Sequence, residues 1–257
     1  MRKIESVTEL SDIVKRYFVR GVATNAFMSS AVLADEIKRG DLYVTECGGN
    51  LCMLRKRTDH TKLNFYITET ESEITDIPPC TVTEIPYRTR DIGLKNASTY
   101  LQSHGFELLF RRQRMSVSAE PSFCSSDIVS PALPCELKHV YEIMFGCFDP
   151  RTACIPSGEA IQAAIVDQRI LVYRDGVLPV GLLHYTRTKN GTELRHLAVE
   201  KDHQGRGIAA ELVRHYLSIV NGTSAVWVRV DNAPAVSVYK KFGYTEDGMM
   251  SDVLITK

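Results

Sequence analysis

The chain has 257 residues, 44% hydrophobic and 24% charged, with 31 basic residues against 31 acidic ones. This composition suits one large or two modest globular domains, and its charge balance offers no overall attraction to nucleic acid or to an anionic membrane. No apolar run reaches the ~18 residues of a membrane span, and Met1-Arg2-Lys3-Ile4-Glu5-Ser6 leads into an amphipathic segment rather than a secretory leader, so a cytoplasmic protein is expected.

Seven cysteines are an odd number, with no Cys-x-x-Cys pair and no His/Cys cluster at zinc spacing, so no metal is expected. Cys47 and Cys52 flank the turn Gly48-Gly49-Asn50 and lie close enough to face each other across a hairpin; free thiols are the expectation in a reducing compartment.

Residues 8–27 predict a helix, because Val7, Leu10, Ile13, Val14, Tyr17 and Phe18 recur at spacings of three and four. A short helix comes next over 31–38, then a hairpin of 42–47 with 51–55. Alternating apolar residues predict strands at 63–68 and 80–87, on either side of an acidic stretch that ends in Pro78-Pro79. A helix over 91–104 closes at Gly105, and an apolar, then basic, strand runs to 117.

Residues 118–134 have linker composition, with Ser118, Pro121, Ser122, Ser125, Ser126, Pro131 and Pro134, although part of the run could add a first strand to the second domain. Helices are predicted over 136–148 and 158–167, separated by a loop at 149–157. Strands at 169–173, 179–187 and 192–199 are joined by the turns Asp175-Gly176 and Lys189-Asn190-Gly191. A helix over 207–220 carries the apolar stripe Ile208, Leu212, Val213, Leu217 and Val220. A strand at 225–230, a helix with Pro234 in its first turn, and a strand at 249–255 complete the chain.

The most informative stretch is His203-Gln204-Gly205-Arg206-Gly207-Ile208-Ala209, between a strand and a helix. A loop of this kind gathers backbone N–H groups and the positive end of a helix dipole, which suits a phosphate or pyrophosphate. There is no Lys-Ser/Thr after the glycines, as a P-loop requires, and no Gly-x-Gly-x-x-Gly.

The pattern Gln204-x-x-Gly207-x-Ala209 resembles the acyl-CoA pyrophosphate loop of the GNAT superfamily of N-acetyltransferases. Leu197-Ala198-Val199 resembles the end of that family's fourth strand. Asn232-x-x-Ala235-x-x-x-Tyr239-x-x-Phe242-Gly243-Tyr244 is similar to its last helix and turn. The similarity covers roughly residues 135–257. It implies an α+β fold, a mostly antiparallel mixed sheet flanked by helices with its central strands splayed, and transfer of acetyl from acetyl-CoA to a primary amine.

Asn96-Ala97, then Leu101-x-x-His104-Gly105-Phe106, echoes Asn232-Ala233, then Tyr239-x-x-Phe242-Gly243-Tyr244. On that basis the chain reads as two GNAT-like domains: a degenerate copy at 1–117 without a CoA loop, a linker at 118–134 and the acetyltransferase domain at 135–257. The acidic loop that stands where the copy's CoA loop belongs would repel a pyrophosphate.

Acetyl transfer requires a neutral amine, a donor for the carbonyl oxygen and a proton for the departing sulfur. A lysine-like amine costs about 4.6 kcal/mol to deprotonate at pH 7, an α-amine only about 1. The resemblance implies Tyr239 as the acid and Glu193 as the base, with His196, His184 or a water as other bases. By two-residue alternation His196 is expected on the strand face opposite Glu193.

The resemblance further implies backbone N–H groups of Leu197 or Val199 against the oxyanion. Gln204, Gly205, Arg206, Gly207, Ile208 and Ala209 would hold the pyrophosphate, and Asn232 the CoA arm. A small-molecule amine is favoured as acceptor over a protein, with no nucleic-acid or membrane partner and a monomer or homodimer. A non-catalytic acetyl-CoA sensor or scaffold is the competing reading.

Overall fold

A computed structural model of the chain describes residues 1–119 and 128–257. Pro121, Ser122, Ser125 and Ser126 of the expected linker lie at 120–127, outside the described residues. The chain divides into two compact units, Met1–Arg112 with Met249–Lys257, and Gln113–Gly248.

In chain order the first unit holds β1 (Arg2–Lys3), α1 (Val7–Tyr17), β2 (Ala23–Thr24), α2 (Ser30–Arg39), β3 (Leu42–Cys47), β4 (Asn50–Lys56), β5 (Thr61–Ile67), β6 (Thr81–Arg88), α3 (Ile92–Ser103) and the start of β7 (Phe106–Ala119). The second continues β7 and adds β8 (Val129–Pro131), α4 (Leu137–Cys147), α5 (Pro150–Ala153), α6 (Gly158–Val166), β9 (Ile170–Asp175), β10 (Leu178–Thr188), β11 (Gly191–Val199), α7 (Ile208–Ile219), β12 (Gly222–Arg229), α8 (Ala233–Lys241) and the first residues of β13 (Thr245–Thr256).

Each unit is a mixed sheet between helices. The first is ordered β1-β3-β4-β5-β6-β13-β7, the second β7-β12-β11-β10-β9-β8. β5 runs parallel to β6 in the first and β11 to β12 in the second. Alternation along β4 sends Leu51 and Met53 to the core under α1 and α2, and Cys52 and Leu54 to the core under α3. In the second unit one core gathers Leu212, Val213, Leu217, Tyr239 and Phe242 of α7 and α8 with strand residues. The other packs Val140, Met144, Ile161 and Ile165 of α4 and α6 on the opposite sheet face.

Several expectations change. The helix predicted over 8–27 stops at Tyr17, where Phe18 caps it, and Gly21 at φ +87° turns the chain into β2. The strand at 249–255 does not complete the second domain. Residues from Met249 to Ile255 pair antiparallel with β6, from Met249↔Arg88 to Ile255↔Val82, and belong to the first unit. Across the β3–β4 hairpin Cys47 faces Asn50 and Cys52 faces Thr45, so the two thiols are not opposed, and both are free. Among the described residues no helix is long and apolar enough to cross a membrane.

Candidate active site

The site starts with a parting of strands. β11 and β12 pair from Gly191↔Thr223 to Leu194↔Val226 and no further. On its other edge β11 stays paired with β10 as far as Val199↔Gly181. The Glu200 N–H donates to Val180 O at 2.9 Å, on the β10 side. Alternation therefore turns the N–H groups of Leu197 and Val199 the other way, to the edge that β12 has left. An edge of unpaired strand amides beside a cleft can receive an extended amide-bearing chain and polarise a carbonyl oxygen.

A bulge sets the side-chain directions on β11. The register against β10 passes from His184↔His196 to Tyr185↔Leu194, leaving Arg195 as an extra residue. Leu194 accordingly packs with α7, and Ala198, four residues on, with α4 and α6 on the opposite face. This overturns the expected opposition of Glu193 and His196: the bulge puts both on the face of α4 and α6.

Glu193 is partly buried and ion-paired with Arg195 at 2.5 Å. His184 and His196 are both buried and hydrogen-bonded through their Nδ1 atoms. Burial first, then the neighbouring His196, Arg169 and Arg195, pushes His184 down to about 3. A histidine that stays neutral to such low pH is a poor proton acceptor near neutrality.

Beyond Val199 the chain makes a tight turn at Lys201–His203 and enters the glycine loop. Gly205 and Gly207 have φ of +78° and +82°, values that side-chain-bearing residues reach only with strain, and Gly207 caps α7. Among the described residues no acceptor is found for the backbone N–H groups of Gly205, Arg206, Gly207, Ile208 and Ala209. Five unused donors at the positive end of a helix are an arrangement that can hold an anion.

The loop is fastened from behind. Gln204 Nε2 donates to Val199 O at 3.0 Å, and Arg206 Nη2 to Asp202 O at 3.0 Å. Gly181 on β10 lets α7 approach closely, since a Cβ there would stand 2.9 Å from Ile208 Cγ2. The patterns that exposed the loop gave no hint of Gly181, because its role is set by a contact across the fold.

Asn232 caps α8, with Oδ1 accepting the Ala235 N–H at 3.2 Å. Its Nδ2 has no acceptor among the described residues. Tyr239 is buried, yet its hydroxyl likewise makes no hydrogen bond among the described residues. Burial, helped by Tyr216, holds that phenol above its ordinary value, so the hydroxyl carries its proton near neutrality.

Beside it runs a chain of buried hydroxyls: Thr192 Oγ1 to Tyr216 at 2.5 Å, Tyr216 to Ser224 at 2.8 Å and Ser224 to Tyr244 at 2.6 Å. This chain ties β11, α7 and β12 together where the two strands still pair. Among the described residues no group of three or more His, Cys, Asp or Glu side chains is placed to hold a metal.

Residues 138–244 match the model of the acetyltransferase (GNAT) family. Solved structures share the fold. A GCN5-related N-acetyltransferase from Sphaerobacter thermophilus is similar with a TM-score of 0.56 at 13% identity, over 89% of this chain and 85% of that one. An acetyltransferase of the GNAT family from Colwellia psychrerythraea gives 0.54 at 12% identity, over 99% and 98% of the two chains. A GCN5-related N-acetyltransferase from Kribbella flavida gives 0.51 at 14%, over 90% and 96%. No curated protein matches the chain by sequence.

Proposed function

We propose that the second unit transfers the acetyl group of acetyl-CoA to a primary amine of a small molecule. The observation that carries this reading is the pairing of two unused sets of donors. The β11 edge beyond Leu194 is open, and the strand leads directly into a loop with five uncommitted amides. Pyrophosphate on residues 205–209 would lay the pantetheine arm along β11, bringing the thioester carbonyl to the N–H groups of Leu197 and Val199.

Glu193 takes a proton from the acceptor as its nitrogen attacks. The N–C bond forms, the C–S bond breaks, and Tyr239 supplies the proton that leaves with sulfur. The products are an amide and free CoA. Asn232 Nδ2 offers a further donor to the CoA arm.

The test is release of free CoA thiol from acetyl-CoA when the purified chain meets a panel of small amines, amino acids and basic peptides. Thiol release with a small amine, absent without acceptor, supports the reading. Tight acetyl-CoA binding with no turnover on any amine replaces it with an acetyl-CoA sensor.

A further inference from the structure

The first unit carries the same parallel pair of strands, but its cleft is not open. β5 and β6 pair at Thr61↔Thr81 and Lys62↔Val82 and then separate, as β11 and β12 do. β2 lies antiparallel on β5, with Ala23↔Ile67 and Thr24↔Tyr66. Tyr66 is already paired with Leu51 of β4 on one edge. A strand has only two edges, so β2 occupies the one that β6 has left.

Asn25, the next residue, spans the gap. Its Oδ1 accepts the Phe65 N–H of β5 at 2.9 Å. Its Nδ2 donates to Glu84 O and Thr83 Oγ1 of β6, each at 2.9 Å, and lies 3.4 Å from Leu63 O. A carboxamide offers a donor and an acceptor as a peptide group does, so it replaces a rung between the parted strands. Thr24 Oγ1 adds a bond to Phe65 O at 2.6 Å, Asn64 Nδ2 one to Asn25 O at 3.2 Å, and Thr83 Oγ1 one to Leu63 O at 2.9 Å. Asn25 is 7% exposed. No helix stands between β5 and β6, and residues 68–80 include Glu69, Glu71, Glu73 and Asp76, so nothing like the phosphate loop of the second unit comes after β5.

We infer that residues 23–25 are a ligand in cis: they fill, in the first unit, the slot that the acyl-CoA arm fills in the second, an equivalence that rests on the proposed function. The first unit is a sealed copy, and the chain has one acyl-CoA site.

Two measurements test this. Calorimetric titration of acetyl-CoA into the intact chain should give one site, lost in Gly207→Glu. Two sites, or one site that survives Gly207→Glu, would overturn the sealed cleft. Independently of any ligand, exchange of the Phe65 amide should be slow and should accelerate by about tenfold in Asn25→Ala, with the amides of α7 unchanged. Thr24→Val, a milder change, should accelerate it less and covers the case in which Asn25→Ala does not fold.

Unchanged Phe65 exchange in a folded Asn25→Ala, or in Thr24→Val if only that variant folds, sinks the plug. If acetyl-CoA binds nowhere while Phe65 responds as expected, the proposed function fails and the plug stands as a self-filled strand gap.

Discussion

His184 and His196 face each other across β10 and β11, their Nδ1 atoms 3.1 Å apart and their rings within 5° of parallel. His196 Nε2 lies 3.0 Å from Ala153 O and must donate to it. In the neutral ring His196 Nδ1 is then an acceptor, so His184 supplies the proton from its own Nδ1. These bonds fix both tautomers and bind α5 to the sheet.

This arrangement makes stability depend on pH. His184 is pushed down to about 3 in the fold, against ~6.5 in an unfolded chain. Between those values the unfolded chain binds a proton that the native state refuses. The stabilisation is complete above pH ~6.5 and is lost as pH falls toward 3, at up to about 1.4 kcal/mol per pH unit. Urea unfolding at pH 7, 5.5 and 4.5 should show a steeper loss for wild type than for His184→Gln. Parallel losses would show that this histidine is not held neutral.

Position 207 separates strain from charge. A side chain there meets nothing within 4 Å but must adopt φ +82°. Gly207→Ala should therefore cost about 1–2 kcal/mol of stability and reduce acetyl-CoA affinity modestly. Gly207→Glu adds a carboxylate to the proposed phosphate site and should reduce affinity at least a further ~100-fold, about 2.7 kcal/mol, measured by calorimetry. Equal affinities for the two variants would place the pyrophosphate elsewhere.

Tyr239→Phe tests the acid. Because the hydroxyl has no partner among the described residues, its removal should leave unfolding stability within about 0.5 kcal/mol and acetyl-CoA affinity unchanged. If Tyr239 protonates sulfur, kcat should fall about 10²-fold or more. An unchanged kcat with full binding would make it a packing residue of α8.

Glu193→Gln keeps the shape of the side chain and removes the base. With an amine of high pKa the expected loss in kcat/KM is ~10²–10⁴-fold. Addition of small carboxylates such as formate should restore part of the rate in Glu193→Ala. A twofold change or less would reduce Glu193 to the ion-pair partner of Arg195.

The parts of the site that reside in contiguous residues were legible in the sequence. The loop around Gly205 and Gly207 betrays itself because glycine takes such φ values without strain, and α7 because Ile208, Leu212 and Leu217 repeat at helical spacing. What escaped depends on single-residue register or on distant partners. The bulge at Arg195 has no compositional mark, yet it reverses the side chains beyond it and so brings His196 to the face of Glu193. β2 is two residues long and was absorbed into the predicted helix, since Phe18 and Val19 continue an apolar rhythm that the backbone abandons at Tyr17. The residues from Met249 onward read as a strand, but alternation cannot say which sheet receives it.

That last strand has a consequence for the order of assembly. Met249–Lys257 is separated from Arg112 by the whole of the second unit, yet it forms the rung against β6 and contributes Leu254 to the core beneath α3. During synthesis the second unit can close on residues already made, whereas the first must keep β6 unpaired along this edge until the end of the described chain has emerged. The half that is translated first is completed last, and for that interval it exposes an unpaired strand edge of the kind that invites misassociation.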